Sequence, residues 1–313
     1  MFLWYFRGLW GLRGPIKLTT FIGGNHACLD ATAPPLQARP QVVMLSRLAD
    51  LLILRPTRNP VFAGGKRRRL LPFRGGNLVV WTESIGVDEG TSPELFVLNL
   101  PATGGRAERS GIQPFDSWPD LPGEIWSLNP PGYGASSGRA SLASLAAAAR
   151  CAFSHLQRVA DGRPILIVAN CVGSVSGLYL AAEEEAAGLI VRNPLPLQQT
   201  IVGRFNRLTL GVGAKAIANC IPPELDSLRN AARSQIPAVF VISGRDRVVP
   251  PVYQRQVFDA YGGDKQLLVL PDAGHDDSLK KRDRHTYAHK LNWLRWEMNA
   301  VREVGELLRS PCP

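Results

Sequence analysis

Three things are scarce in this sequence: long apolar runs, paired cysteines, and any charge imbalance outside one segment. No run of eighteen or more apolar residues occurs in the 313 residues, so no integral membrane segment is expected. The five cysteines (Cys28, Cys151, Cys171, Cys220 and Cys312) are odd in number and include no Cys-x-x-Cys pair. That pattern argues against a disulfide framework and a zinc site, and no cofactor or metal motif is present. Reduced thiols in a cytoplasmic protein are the expectation. The net charge of +10 is concentrated in residues 1–76, which hold 12 Lys and Arg against 2 Asp and Glu; the remainder carries 24 of each. The main body therefore offers no cationic field for a nucleic-acid partner.

The opening MFLWYFRGLWGLRG mixes bulky aromatics with arginines. Arg7 and Arg13 break the apolar core that a secretory signal needs. A weak membrane-surface contact by this segment is one reading; a disordered extension, or sequence upstream of the true start, are the others. Met44 opens a helical pattern, MLSRLADLLIL, and an in-frame start there stays open. The run Lys66-Arg67-Arg68-Arg69 reads as a solvated turn. Residues 1–76 are thus expected to be a basic extension, partly disordered or helical, and 77–313 the main domain.

From residue 77 a regular alternation begins. Short β-rich runs lie at 77–83, 95–100, 124–128, 164–169, 188–192, 238–243 and 266–270, with helical patterns at 141–159, 174–184, 252–260 and 289–308. Apolar strands alternating with helices imply an α/β fold, a mostly parallel central sheet flanked by helices. Residues 197–236 interrupt the rhythm and are too long for an ordinary connection. They read as a short helical lid, with Phe205, Leu208 and Leu210 as pocket walls.

Open parallel sheets bind ligands at the carboxyl ends of their strands, and three reactive side chains follow strands. Cys171 comes after ILIVAN and before a helix, with Ala169 and Gly173 as the small neighbours a sharp strand-to-helix turn requires. The pattern is G-x-S-x-G with Ala for the first glycine and Cys for the serine, and a helix N-terminus favours a thiolate. Asp246 lies in SGRDRVVPP and His275 in LPDAGHDDS, each directly after a strand. Taken singly, they read as a buried cysteine, a turn residue and a surface histidine. Their order, nucleophile then acid then base, resembles that of the α/β-hydrolase fold family from about Asn77 onward.

The resemblance implies a Cys171–His275–Asp246 triad acting on an ester-type bond without a cofactor. Asn129–Gly138 (NPPGYGASSG) looks like the family's strand-end turn, with Asn129 where an aspartate is common. Asn99–Ser110 lies where the family carries its oxyanion loop. Pro101 has no N–H, so Ala102 or Thr103 would donate together with Val172. Asn193 falls near the family's alternative acid position, where an amide cannot serve. Cysteine at the elbow is similar to the dienelactone hydrolases, without their fuller motif. The implied partner is a small ester, lactone or thioester; the alternative is an impaired hydrolase fold that binds a ligand or partner, and a redox-sensitive Cys171 is a third reading. His285 and His289 read as a solvated helix face, and Trp293 and Trp296 as core.

Overall fold

A computed structural model of the chain describes residues 40–87, 91–205 and 212–309. Eight strands form one sheet: β1 (Arg67–Phe73), β2 (Gly76–Ile85), β3 (Leu95–Leu100), β4 (Gly123–Asn129), β5 (Ile165–Asn170), β6 (Gly188–Arg192), β7 (Ala238–Ser243) and β8 (Lys265–Leu270). Their order across the sheet is β1-β2-β4-β3-β5-β6-β7-β8. The first two pairings are antiparallel and all the others parallel. The seven strands read from the sequence are present, so the fold is the expected α/β architecture.

Side-chain alternation along the strands splits the core in two. Phe96, Leu98, Ile167, Val191 and Phe240 point to one face, where α2 (Leu142–Ala160), α3 (Val172–Glu183), α6 (Ser227–Arg233) and α7 (Pro251–Ala260) pack. Val97, Leu166, Ile190, Val239 and Val241 point to the other, covered by α8 (Lys281–Arg309) together with Phe115 and Trp118. The helix α8 contributes Tyr287, Leu291, Leu294 and Met298, an i, i+4, i+7, i+11 stripe. Trp293 joins this core partly, but Trp296 is 66% exposed and not the core residue expected, because it lies off that stripe. His285 and His289 are exposed on α8.

The basic run at 66–69 is not a turn. Arg67–Arg69 open edge strand β1, where Arg69 meets Glu124 at 3.3 Å and stacks over Trp126, and Lys66 pairs with Glu83 at 2.9 Å. Charged side chains on an edge strand block further strand addition. The sheet therefore begins before the expected boundary at residue 77. Helix α1 (Pro40–Ile53) also starts before Met44 and docks on the same fold. Buried Asp50 accepts the Leu142 N–H at 2.8 Å, so α1 caps the start of α2. The described residues within 197–236 form α4 (Leu197–Phe205), α5 (Val212–Ala218), a turn at Pro223–Leu225 and α6, all between β6 and β7. Among the described residues no helix is long and apolar enough to cross a membrane.

Candidate active site

Cys171 occupies the turn between β5 and α3 with φ 51° and ψ −117°, a backbone region that costs a non-glycine residue about 1–3 kcal/mol. The surroundings hold it there. The Cys171 N–H donates to the Arg192 carbonyl at 3.0 Å and its carbonyl accepts from the Ser174 N–H at 2.9 Å, while the Ser174 hydroxyl bridges that carbonyl to the Leu195 N–H. The small residues follow from the close approach of helix and strand. A Cβ on Gly173 would overlap the Leu100 carbonyl and sit 2.7 Å from that of Pro101; one on Gly177 would lie 2.7 Å from Ala169 Cβ. Alanine at 169 is tolerated because the helix residue facing it is itself a glycine.

Asp246 is buried, and its carboxylate accepts the N–H groups of Val248 at 2.7 Å and Val249 at 2.9 Å and the Gln254 amide at 2.9 Å. Asp246 Oδ2 lies 2.6 Å from His275 Nδ1. Cys171 lines the same cleft as this imidazole. The structure thus brings together the three residues that the sequence placed after strands β5, β7 and β8. Burial draws the His275 pKa down, but the hydrogen bonds and charges of Asp246 and Cys171 outweigh it and push it up to about 10. The raised value has a consequence for stability. The native state binds this proton more tightly than the unfolded chain, so the contribution is complete below about pH 6.5 and is lost as pH rises toward 10. Denaturant titrations from pH 6 to 10 are expected to show a downward slope that flattens in His275→Asn; parallel slopes in the two proteins would contradict the pairing.

Two bracing roles went unread in the sequence, that of Gln254 and that of Asn193, which was read only as an amide unable to serve as the acid. Gln254 is fully buried on α7, with its amide shared between Asp246 and the Val249 carbonyl and its oxygen facing the Ser243 N–H. A glutamine three residues before the buried Val257 is a polar group on a core stripe, which is the signal that could have exposed it. Asn193, at φ 49°, donates to the His275 carbonyl at 2.9 Å and accepts the Ser243 hydroxyl at 2.7 Å. It serves as a clamp on the histidine loop.

Of the expected oxyanion donors, Val172 and Thr103 face the Cys171–His275 cleft, whereas Ala102 lines a neighbouring cavity. Val172 is the first residue of α3, so its N–H has no acceptor within the helix. The Thr103 hydroxyl is already committed: it donates to the Ile53 carbonyl at 2.8 Å and accepts the Arg55 N–H at 3.0 Å, with the Tyr133 hydroxyl 3.3 Å away. Only its backbone N–H is left for a ligand. Asn129 takes no part in catalysis by position. It accepts the Ala107 N–H and donates to Glu108, which forms a buried pair with Arg106.

The cleft measures about 410 Å³, within the size range of small-molecule sites. Its apolar walls come from α1 (Leu51, Leu52, Ile53), from Leu195 and Ile201, and from Val248 and Val249. Leu208 and Leu210 lie outside the described residues, as does the Phe205 side chain. Arg55 and Arg204 line the same cleft without an ion pair among the described residues, and the buried Thr200 hydroxyl has no hydrogen-bond partner there. No cluster of metal-ligating side chains occurs among the described residues.

No family model matches the chain. An uncharacterized protein of Mycobacterium tuberculosis is 27% identical over 148 residues, 47% of this chain and 50% of that protein. An uncharacterized membrane protein of Saccharomyces cerevisiae is 24% identical over 160 residues, 47% and 53% of the two chains. The matches thus span about half the length of these relatives. Among solved structures, a Pyrococcus furiosus esterase superposes with a TM-score of 0.56 at 13% identity, covering 77% of this chain and 97% of the other. Est1E from Butyrivibrio proteoclasticus gives 0.56 at 15% identity, with 74% and 99% covered. An alpha-beta hydrolase from Vibrio vulnificus gives 0.55 at 19%, with 74% and 81% covered. The fold is that of the α/β-hydrolases.

Proposed function

We propose that this protein is a cytoplasmic hydrolase of carboxylic ester-type bonds (ester, lactone or thioester), working through a Cys171–His275–Asp246 triad and a covalent acyl-enzyme. The observation that carries this reading is the 2.6 Å contact of His275 with Asp246 beside a cysteine held on a strained elbow facing the same cleft. A hydrolase fold alone would not support it, since one fold hosts many functions.

The chemistry follows from the geometry. The Cys171 thiol proton passes to His275, and the sulfur attacks the substrate carbonyl carbon. Asp246 orients the imidazole and stabilises its positive charge. The backbone N–H groups of Val172 and Thr103, the two expected donors that line the cleft, receive the developing oxyanion, each such donor contributing about 3 kcal/mol. Collapse expels the leaving group, which takes the proton from His275. Water then gives a proton to the imidazole and attacks the thioester carbon, releasing the acid and restoring the thiol. A reduced thiol is required throughout, in keeping with a cytoplasmic setting.

Hydrolysis of p-nitrophenyl acetate and butyrate by the purified chain, followed by intact-mass analysis of the quenched reaction, tests this reading. Sustained release of p-nitrophenol with a transient acyl adduct mapped to Cys171 is expected. An adduct that forms and persists would show acylation without hydrolysis and transfer the acyl group's destination to another acceptor. Neither release nor adduct would assign the fold to ligand or partner binding instead.

A further inference from the structure

On the α8 side of the sheet a second cavity of about 620 Å³ opens at the carboxyl ends of β5, β6 and β7. Strand alternation puts it on the opposite face from Cys171. Leu166, Ile190 and Val239 face α8 in the core, and the next residues of the same parity, Val168, Arg192 and the buried Val241, line the cavity. Its floor is apolar: Val168, Ile190, Val241, Leu270 and Leu279. Three arginines line its polar end: Arg106, already paired with Glu108, and Arg109 and Arg192.

Arg192 is the unusual member. One of its terminal nitrogens donates to the Asp277 carbonyl, but its Nε is buried without a hydrogen-bond partner among the described residues. A buried guanidinium donor left unpaired is costly, and a charged guanidinium pairs most strongly with an anionic acceptor. Asp276 lines the same cavity and offers its charge without a hydrogen bond to this nitrogen. Arg109 is exposed at the cavity and makes no ion pair among the described residues. The result is an amphipathic space, apolar at its floor and cationic at one end, of a size that small-molecule sites adopt.

We propose that this cavity binds a carboxylate bearing a short apolar chain, with the carboxylate on Arg192 and the chain over Val168, Ile190 and Val241. A carboxylate matches the planar donor geometry of a guanidinium, and the apolar floor requires a tail that free phosphate or sulfate lacks. The site stands independently of the ester-hydrolase reading, yet it adjoins the catalytic machinery. The Arg192 carbonyl holds the Cys171 N–H, and Gly104 and Asp276 line both cavities.

Calorimetric titration of sodium hexanoate into the full chain tests the site, with hexanamide as the uncharged comparator. Hexanoate is expected to bind more tightly than hexanamide and to lose about tenfold in affinity in Arg192→Met. Arg109→Gln should weaken it, most at low salt, and Asp276→Asn should tighten it by removing a like charge. If Arg192→Met does not fold, those opposite shifts at Arg109 and Asp276 decide. Arg204→Gln, in the catalytic cleft, should change nothing. The proposal is overturned if hexanoate fails to bind, if hexanamide binds equally well, or if Arg204→Gln weakens binding while Arg109→Gln does not.

Discussion

Replacing Cys171 by alanine is expected to lower turnover of p-nitrophenyl butyrate by on the order of 10⁴-fold or more, the scale seen when a triad nucleophile is removed from a hydrolase. The cleft, the oxyanion donors and the imidazole remain, so any residual rate measures what positioning alone contributes. Serine at 171 probes the kind of nucleophile. A hydroxyl needs a neutral imidazole to take its proton, whereas Asp246 and Cys171 push the His275 pKa up to about 10. Removing the thiol takes away one of those influences and leaves Asp246. Cys171→Ser is therefore expected to fall well below the native enzyme near neutral pH and to gain activity as pH rises toward that value. Profiles of kcat/KM against pH for the three proteins make the comparison. Equal rates for native and alanine proteins would sink the catalytic assignment.

The second large effect is on stability. Arg106 and Glu108 form an ion pair with side chains only 4% and 5% exposed. Burial works against the Glu108 charge, but hydrogen bonds from Arg106 and Asn129 hold its carboxyl below the usual range. Glu108→Ala leaves Arg106 charged and unpaired in the interior and is expected to cost about 3–5 kcal/mol, a large fraction of the roughly 5–15 kcal/mol by which domains are stable. Arg106 also donates to the carbonyls of Thr57 at 3.1 Å and Asn59 at 2.9 Å, tying down the chain that leaves α1. Urea unfolding gives the energy. Hydrogen exchange at residues 50–60 should show α1 loosening in the same variant, with the cleft wall of Leu51–Ile53 becoming mobile. The double replacement Arg106→Met with Glu108→Leu should recover most of the loss. Were the single variant as stable as the native chain, the pair would have no structural weight.

Much of this architecture is legible in the residues alone, for a definite reason. Strands β3 to β8 are short, apolar and punctuated by Gly and Pro, and Cys171, Asp246 and His275 each follow one of them directly. Such local signals survive without tertiary information. What escaped was set by long-range packing. The arginines of β1 read as a solvated turn because nothing in RRRLLPF announces an edge strand; Glu124 and Trp126, its partners, lie far along the chain. Helix α1 was legible as a helix and illegible as a cleft wall, since its seat depends on Asp50 meeting the start of α2. Gln254 and Asn193 brace the acid and the base through hydrogen bonds between separate elements, which no spacing rule encodes. Trp296 shows the reverse error, where aromatic content suggested burial and the helix phase denied it.

The position of α1 in the cleft wall bears on how the protein is made. Leu51 leaves the ribosome long before His275, with which it lines the cleft. At roughly 5–20 residues per second, the interval is on the order of 10–45 s. For much of that time the nascent chain carries an amphipathic helix whose final seat, against α2 and α5, is not yet complete. Met44 and Leu51 remain 65% and 73% exposed even in the finished fold, so this apolar surface is available to chaperones throughout synthesis. The cleft is consequently completed only when the histidine loop has emerged, long after the α1 wall that bounds it was made.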